Sequence, residues 1–134
     1  MTKRNVLARP LTDLQQAILD FVWANGPSTS EEIREGIRTR HPLKDSSIRT
    51  LLRRLEARGF LSHRLDGKTF IYKTEVRRHG VAAKTVRHII ERFWSGSVEQ
   101  FLVGMVDEKV LSLEEIERLA KKVKDQRKKS GRQE

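Results

Sequence analysis

The sequence predicts a mainly α chain, with a winged helix-turn-helix domain followed by a three-helix region. Three observations carry this. Apolar residues recur at three- and four-residue steps in separate stretches, most of them opened by Ser or Thr with Glu or Gln three residues on. The stretch SSIRTLLRRLEARGFL, Ser46 to Leu61, sets one apolar stripe against an arginine-bearing face. Immediately beyond it, LSHRLDGKTFIY places Asp66-Gly67 between two β-prone runs, a strong hairpin signal.

The first helix spans Thr12 to Asn25, with Leu11, Leu14, Ile18, Phe21 and Val22 on one face. Thr12 and Gln15 form a capping box at its start, and Gly26-Pro27 ends it. A shorter second helix opens on Thr29 with Glu32 and buries Ile33 and Ile37. Pro42 then breaks the chain, because it lacks an amide hydrogen and biases His41 away from helix. In the third helix Ile48, Leu51, Leu52 and Leu55 fall at i, i+3, i+4 and i+7. The opposite side presents Ser46, Arg49, Thr50 and Arg53, with Ser47 and Arg54 on its flank. Glu56 is placed to pair with Arg53, and Arg58 lies toward the core as a structural residue. Gly59 supplies the left-handed end. A primed turn at Asp66-Gly67 brings Arg64, Lys68 and His63 near the hairpin tip.

Lys73-Thr74-Glu75 is the expected joint, giving a domain over 1–74. From Val76 a helix buries Ala82, Val86, Ile89, Ile90 and Phe93. The next opens on Ser97 with Gln100 as its box partner and shows Val98, Phe101, Leu102 and Met105. The last opens on Ser112 with Glu115 and shows Ile116, Leu119 and Val123. Three such helices over 75–125 make a poor independent core. Symmetric self-pairing is the simplest cover for their apolar surface. The candidate dimerisation residues are Ile90, Phe93, Trp94, Val98, Phe101, Leu102, Met105, Ile116 and Leu119. The alternative is a monomer whose halves pack on each other. Residues 126–134 are expected to form a frayed, disordered basic tail.

The chain has 134 residues, with 28 Lys+Arg against 18 Asp+Glu and a net charge of +10. This favours an anionic partner, nucleic acid first and an acidic membrane second. The charge is concentrated: Arg38, Arg40, Lys44, Arg49, Arg53, Arg54, Arg58 and Arg64 are opposed over that span only by Asp45 and Glu56. A third helix entering the major groove, with a basic hairpin on phosphate or in the minor groove, suits double-stranded DNA. With no cysteine, disulfides, thiolate metal sites and cysteine nucleophiles are excluded. His41, His63, His79 and His88 lack metal-ligand spacing, and no glycine-rich phosphate loop follows a strand. No catalytic residue, metal site or cofactor is expected. Neither a signal-peptide core nor a membrane-length apolar run is present, so a cytoplasmic protein without membrane insertion is expected. Two rivals stay open: a nonspecific architectural DNA-binding protein, and a basic module binding membrane or protein through its C-terminal helices.

The segments LTDLQQAILDFVWANGPSTSEEI, IRTLLRRLEARGFLSHRLDGKTFIY, RFWSGSVEQFL and LSLEEIERLAKKV resemble the BlaI/MecI family of bacterial repressors, which regulate β-lactamase and methicillin-resistance genes. The resemblance implies a winged helix, a three-helix dimerisation region, and repression by a homodimer occupying a palindromic operator. Carried over by position, it turns Ser46, Ser47, Arg49, Thr50, Arg53 and Arg54 toward DNA. Arg49 and Arg53 can fork onto a guanine edge or a phosphate, and Thr50 can meet a thymine methyl or a phosphate. With Arg64 and Lys68 of the hairpin, these form the candidate DNA-binding set. Three features depart from the family. A tryptophan common in its first helix is replaced around Gln16. Some members are cut by a membrane sensor protease, a further candidate partner, at an Asn-Phe bond whose counterpart here is Gly104-Met105. Other relatives sense copper through C-terminal cysteines, which this chain lacks.

Overall fold

The computed structural model describes residues 9–130. In chain order the elements are α1 (Asp13–Asn25), β1 (Ser28–Thr29), α2 (Ser30–Ile37), α3 (Asp45–Ala57), β2 (Leu61–Asp66), β3 (Thr69–Thr74), α4 (Arg78–Trp94), α5 (Val98–Asp107) and α6 (Leu113–Lys129). The chain divides into two compact units between His88 and Ile89, inside α4. The expected boundary at 74/75 falls earlier because Val81 of α4 still belongs to the first unit's core.

Local chemistry starts the first two helices. Thr12 and Gln15 exchange both bonds of a capping box on α1, and Thr29 and Glu32 do the same on α2. The core gathers Ile18, Leu19 and Val22 of α1, Ile33 and Ile37 of α2, and Ile48, Leu52 and Leu55 of α3, closed by Phe60, Leu61 and Tyr72. Leu19 is fully buried beside the expected stripe, and Leu51 is only half-buried. α3 ends in a Schellman motif: Phe60 N–H donates to Leu55 O and Gly59 N–H to Glu56 O, both at 3.0 Å. Gly59 takes the positive φ of 88° that this motif needs, and Leu55 and Phe60 are both wholly buried. The next strand therefore leaves α3 at a fixed angle.

The sheet has the order β1-β3-β2, antiparallel throughout. β1 has only two residues and no sequence signal; it pairs Ser28 with Tyr72 and Thr29 with Ile71. In the hairpin, Asp66 pairs with Thr69, so Gly67-Lys68 is the two-residue loop. The expected turn centre at Asp66-Gly67 is thus shifted by one residue. Gly67 has φ 66° and Lys68 is not left-handed, the arrangement with Gly at the first central position. Trp23 Nε1–H donates to Val76 O at 3.0 Å, and the Arg78 guanidinium lies 5.2 Å from its ring centroid, fastening the chain after the hairpin.

In α4 the buried apolar residues are Val81, which the expected stripe did not include, and Ile90, the one member of that stripe that is buried. Ala82, Val86, Ile89 and Phe93 are exposed, because nothing among the described residues covers them. In the second unit the Trp94 and Phe101 rings meet edge-on at 5.3 Å. Ser97 accepts the Gln100 N–H, but its own N–H goes to Trp94 O, so only half of the expected box forms. Ser112 and Glu115 complete theirs on α6. That helix continues to Lys129, which corrects the frayed tail expected from residue 126. Strong helix formers fill its last turns, and Arg127, Lys128 and Lys129 favour the negative end of the helix dipole. The tail's residues 131–134 lie outside the described residues.

Candidate nucleic-acid interface

With Ile48, Leu52 and Leu55 buried, the helical repeat turns Ser46, Thr50, Arg53 and Ala57 outward as a ridge. Thr50 sits low on this ridge, its hydroxyl donating to Ser46 O at 3.0 Å. Ser47 is half-buried on the flank. α3 opens at Lys44 without any side-chain cap, unlike α1, α2, α5 and α6.

The flank of α3 toward the hairpin forms a groove lined by Arg49, Arg53, Glu56, His63, Lys68, Phe70 and Tyr72. Arg49 pairs with Asp45 at 3.1 Å across one helical turn, both side chains being more than half exposed. Arg53, Arg54, Arg64 and Lys68 have no ion pair among the described residues. The expected Glu56–Arg53 pair does not form. Glu56 instead faces His63 Nδ1 at 2.8 Å, and the His63 ring stacks on Phe70 at 4.1 Å and 4°. This contact ties the last turn of α3 to the hairpin. Burial first, and then the Glu56 carboxylate, raises the Tyr72 phenol, while Arg53 and Arg49 pull it back down.

Strand alternation separates Arg64 from this group. His63 and Leu65 look toward α3 with Tyr72 and Phe70, so Arg64, paired with Ile71, lies on the other face. Leu65 and Phe70 are both exposed at the tip. The other flank of α3 carries Arg54 beside Arg9, Thr12, Gln15 and Arg58. Arg58 Nη2–H donates to Arg9 O at 2.7 Å, and its guanidinium lies 5.0 Å from the Phe60 ring centroid. Burial, and then the Arg9 charge, lowers the Arg58 pKa from its usual value. Sequence patterning had no signal for Arg9.

The candidate dimerisation residues also divide. Ile90 is buried within its own chain, as its place on the apolar stripe of its helix leads us to expect. Trp94, Phe101, Leu102, Met105 and Ile116 are half-buried, while Phe93, Val98 and Leu119 are exposed. Val103, Val110 and Leu113 are exposed too, outside the expected set. Gly104-Met105 lies within α5, half-buried, and a Cβ on Gly104 would stand 3.3 Å from the Trp94 ring. The Gln16 side-chain amide donates to Asp20 Oδ1 at 3.0 Å. Among the described residues no group of three acidic or histidine side chains could hold a metal, and no helix is long and apolar enough to cross a membrane.

A family model described as penicillinase repressor matches residues 11–125. The methicillin resistance regulatory protein MecI of Mammaliicoccus sciuri is 26% identical over 109 residues, covering 81% of this chain and 89% of that protein. The penicillinase repressor of Bacillus licheniformis is 21% identical over 109 residues, covering 81% and 85% respectively. Among solved structures, the hsRosR-S4 complex aligns with a TM-score of 0.50 at 19% identity, over 91% of this chain and 94% of that one. That likeness concerns the fold alone.

Proposed function

The chain belongs to the penicillinase repressor family, a family of transcriptional repressors and not of enzymes, and on that premise we propose that it acts as a homodimer on a palindromic DNA operator. One observation carries the reading: the α3 ridge of Ser46, Thr50, Arg53 and Ala57 is low enough to enter a groove and has cations along its flanks. The major groove is about 12 Å wide, and a helix with side chains is about 10–12 Å across. A seated α3 thus fills the groove and meets phosphate on either side. Arg53 on the ridge reads a base edge, and Arg49 reads a base or a phosphate once Asp45 shares it. Ser46 and Ser47 donate at the uncapped start of α3, where the helix dipole favours phosphate. Thr50 offers its methyl to thymine. Lys68 at the hairpin tip and Arg64 on its outer face serve the backbone, and Arg54 serves the far flank.

Pairing through the second unit supplies the twofold symmetry. Phe93 is 68% exposed, Val110 62%, Leu113 61% and Val123 56%, a spread of large apolar side chains that single chains seldom leave open. Phe93, Val98 and Leu119 lie on the proposed contact face, with Trp94, Phe101, Leu102, Met105 and Ile116 supporting it from beneath. Two joined readers gain by effective concentration on adjacent half-sites.

Binding to a duplex recovered by selection is compared with binding to mixed-sequence DNA at one salt concentration. The proposal expects discrimination of about a thousandfold or more, with a dimer in sedimentation. Equal affinity for both duplexes would instead favour an architectural protein.

A further inference from the structure

We infer a second phosphodiester site on the α3 flank facing away from the hairpin, where Arg9 and Arg54 grip the DNA strand opposite the one met by Arg49 and Lys68. Arg58 is its positioning residue. The inference rests on α3 entering the major groove, and it adds to the far-flank Arg54 a cation from outside the third helix and the hairpin, Arg9, together with the residue that positions it.

The site is assembled by a chain of contacts. Phe60, wholly buried, supports the Arg58 guanidinium at 5.0 Å. Arg58 then donates to Arg9 O at 2.7 Å and to Gln15 Oε1 at 3.4 Å. Gln15 is itself held by the α1 cap, accepting the Thr12 N–H at 3.0 Å. Arg9 is thereby fixed by its backbone, which leaves its exposed side chain to serve a ligand. Arg9, Arg54 and Arg58 line one depression, and no acidic side chain lines it. Like charges gathered there repel one another, and a bound anion offsets that repulsion. The Arg9 charge already lowers the Arg58 pKa, second to burial, so the two cations feel each other. A helix that fills the groove has one phosphate strand on each side. The hairpin flank serves one strand, and this cluster stands where the other must run.

The test uses the full chain, a labelled mixed-sequence duplex, a selected operator duplex and phosphatidylserine vesicles, each titrated across about 50–200 mM salt. Arg9→Ala and Arg54→Ala should each make the slope of log affinity against log salt shallower by about 1, equally on both duplexes. Arg58→Met should reproduce the Arg9→Ala slope, and the double variant should add nothing to it. Arg9→Ala removes only an exposed side chain, so it keeps the test sound even if Arg58→Met unfolds. Unchanged slopes for Arg9→Ala and Arg54→Ala, beside a steep wild-type slope, would overturn the second site and leave the DNA reading standing. A wild type that binds neither duplex would remove both. Losses confined to phosphatidylserine vesicles, with duplex binding intact, would also overturn it in favour of a membrane surface.

Discussion

Replacing Arg53 by Ala separates reading from folding. The side chain is exposed on the α3 ridge and has no ion pair among the described residues. Its loss should therefore leave stability within about 0.5 kcal/mol. If the guanidinium forks onto a base, operator binding should weaken by about 1–3 kcal/mol, or about 5-fold to 160-fold in Kd. Arg49 makes a useful contrast, because Asp45 holds it at 3.1 Å. An exposed pair of this kind is worth about 0.3–0.5 kcal/mol, so sharing Arg49 with DNA costs little but not nothing. Arg49→Ala should then fall short of Arg53→Ala, while Asp45→Asn should tighten binding by removing both a competitor and a repulsive charge. Fluorescence anisotropy at matched salt, with thermal melts alongside, measures these effects. Unchanged affinity for Arg53→Ala would refute the assignment, and so would an equal loss on operator and mixed-sequence DNA, which marks a phosphate contact alone.

Leu52 is wholly buried beneath the same ridge, so Leu52→Ala should cost about 2–5 kcal/mol in a urea melt. A Cβ on Gly36 would overlap the Phe21 ring, so Gly36→Ala should destabilise by about 1–3 kcal/mol despite the better helix propensity of Ala. In a Phe21→Ala background the same change should instead stabilise by up to about 1 kcal/mol. The Ser62 hydroxyl, and then Lys73, hold the Glu75 carboxyl below the ordinary glutamate value. Its stabilising share is full above the unfolded pKa and fades as pH falls through the lowered folded one; Ser62→Ala should move its NMR titration upward. Phe93→Glu should convert a sedimenting dimer to monomer without lowering the melting temperature of the first unit.

Capping boxes, the α3 stripe and Gly59 were legible because their causes lie within a few residues. Thr12 with Gln15, Thr29 with Glu32 and Ser112 with Glu115 each complete a local exchange of hydrogen bonds. What failed depended on distant partners. β1 exists because β3 offers an edge beside Ser28 and Thr29, and Glu56 turns to His63 because the hairpin brings that ring within reach. In α4, apolar periodicity identified the stripe of Ala82, Val86, Ile89, Ile90 and Phe93, yet not that only Ile90 would be covered within the described residues. Alternation alone could have separated His63 from Arg64, since neighbours on a strand face opposite ways. Arg9 had no such pattern; only the fold brings its carbonyl to Arg58.

Selection of bound fragments from random duplex DNA, using the full chain at one fixed salt concentration, tests the central claim most directly. A homodimer reading through α3 should yield a twofold-symmetric consensus that loses base preference at one position in each half-site when Arg53 becomes Ala. Recovery of fragments without a shared sequence, or of a single unrepeated half-site, would contradict it.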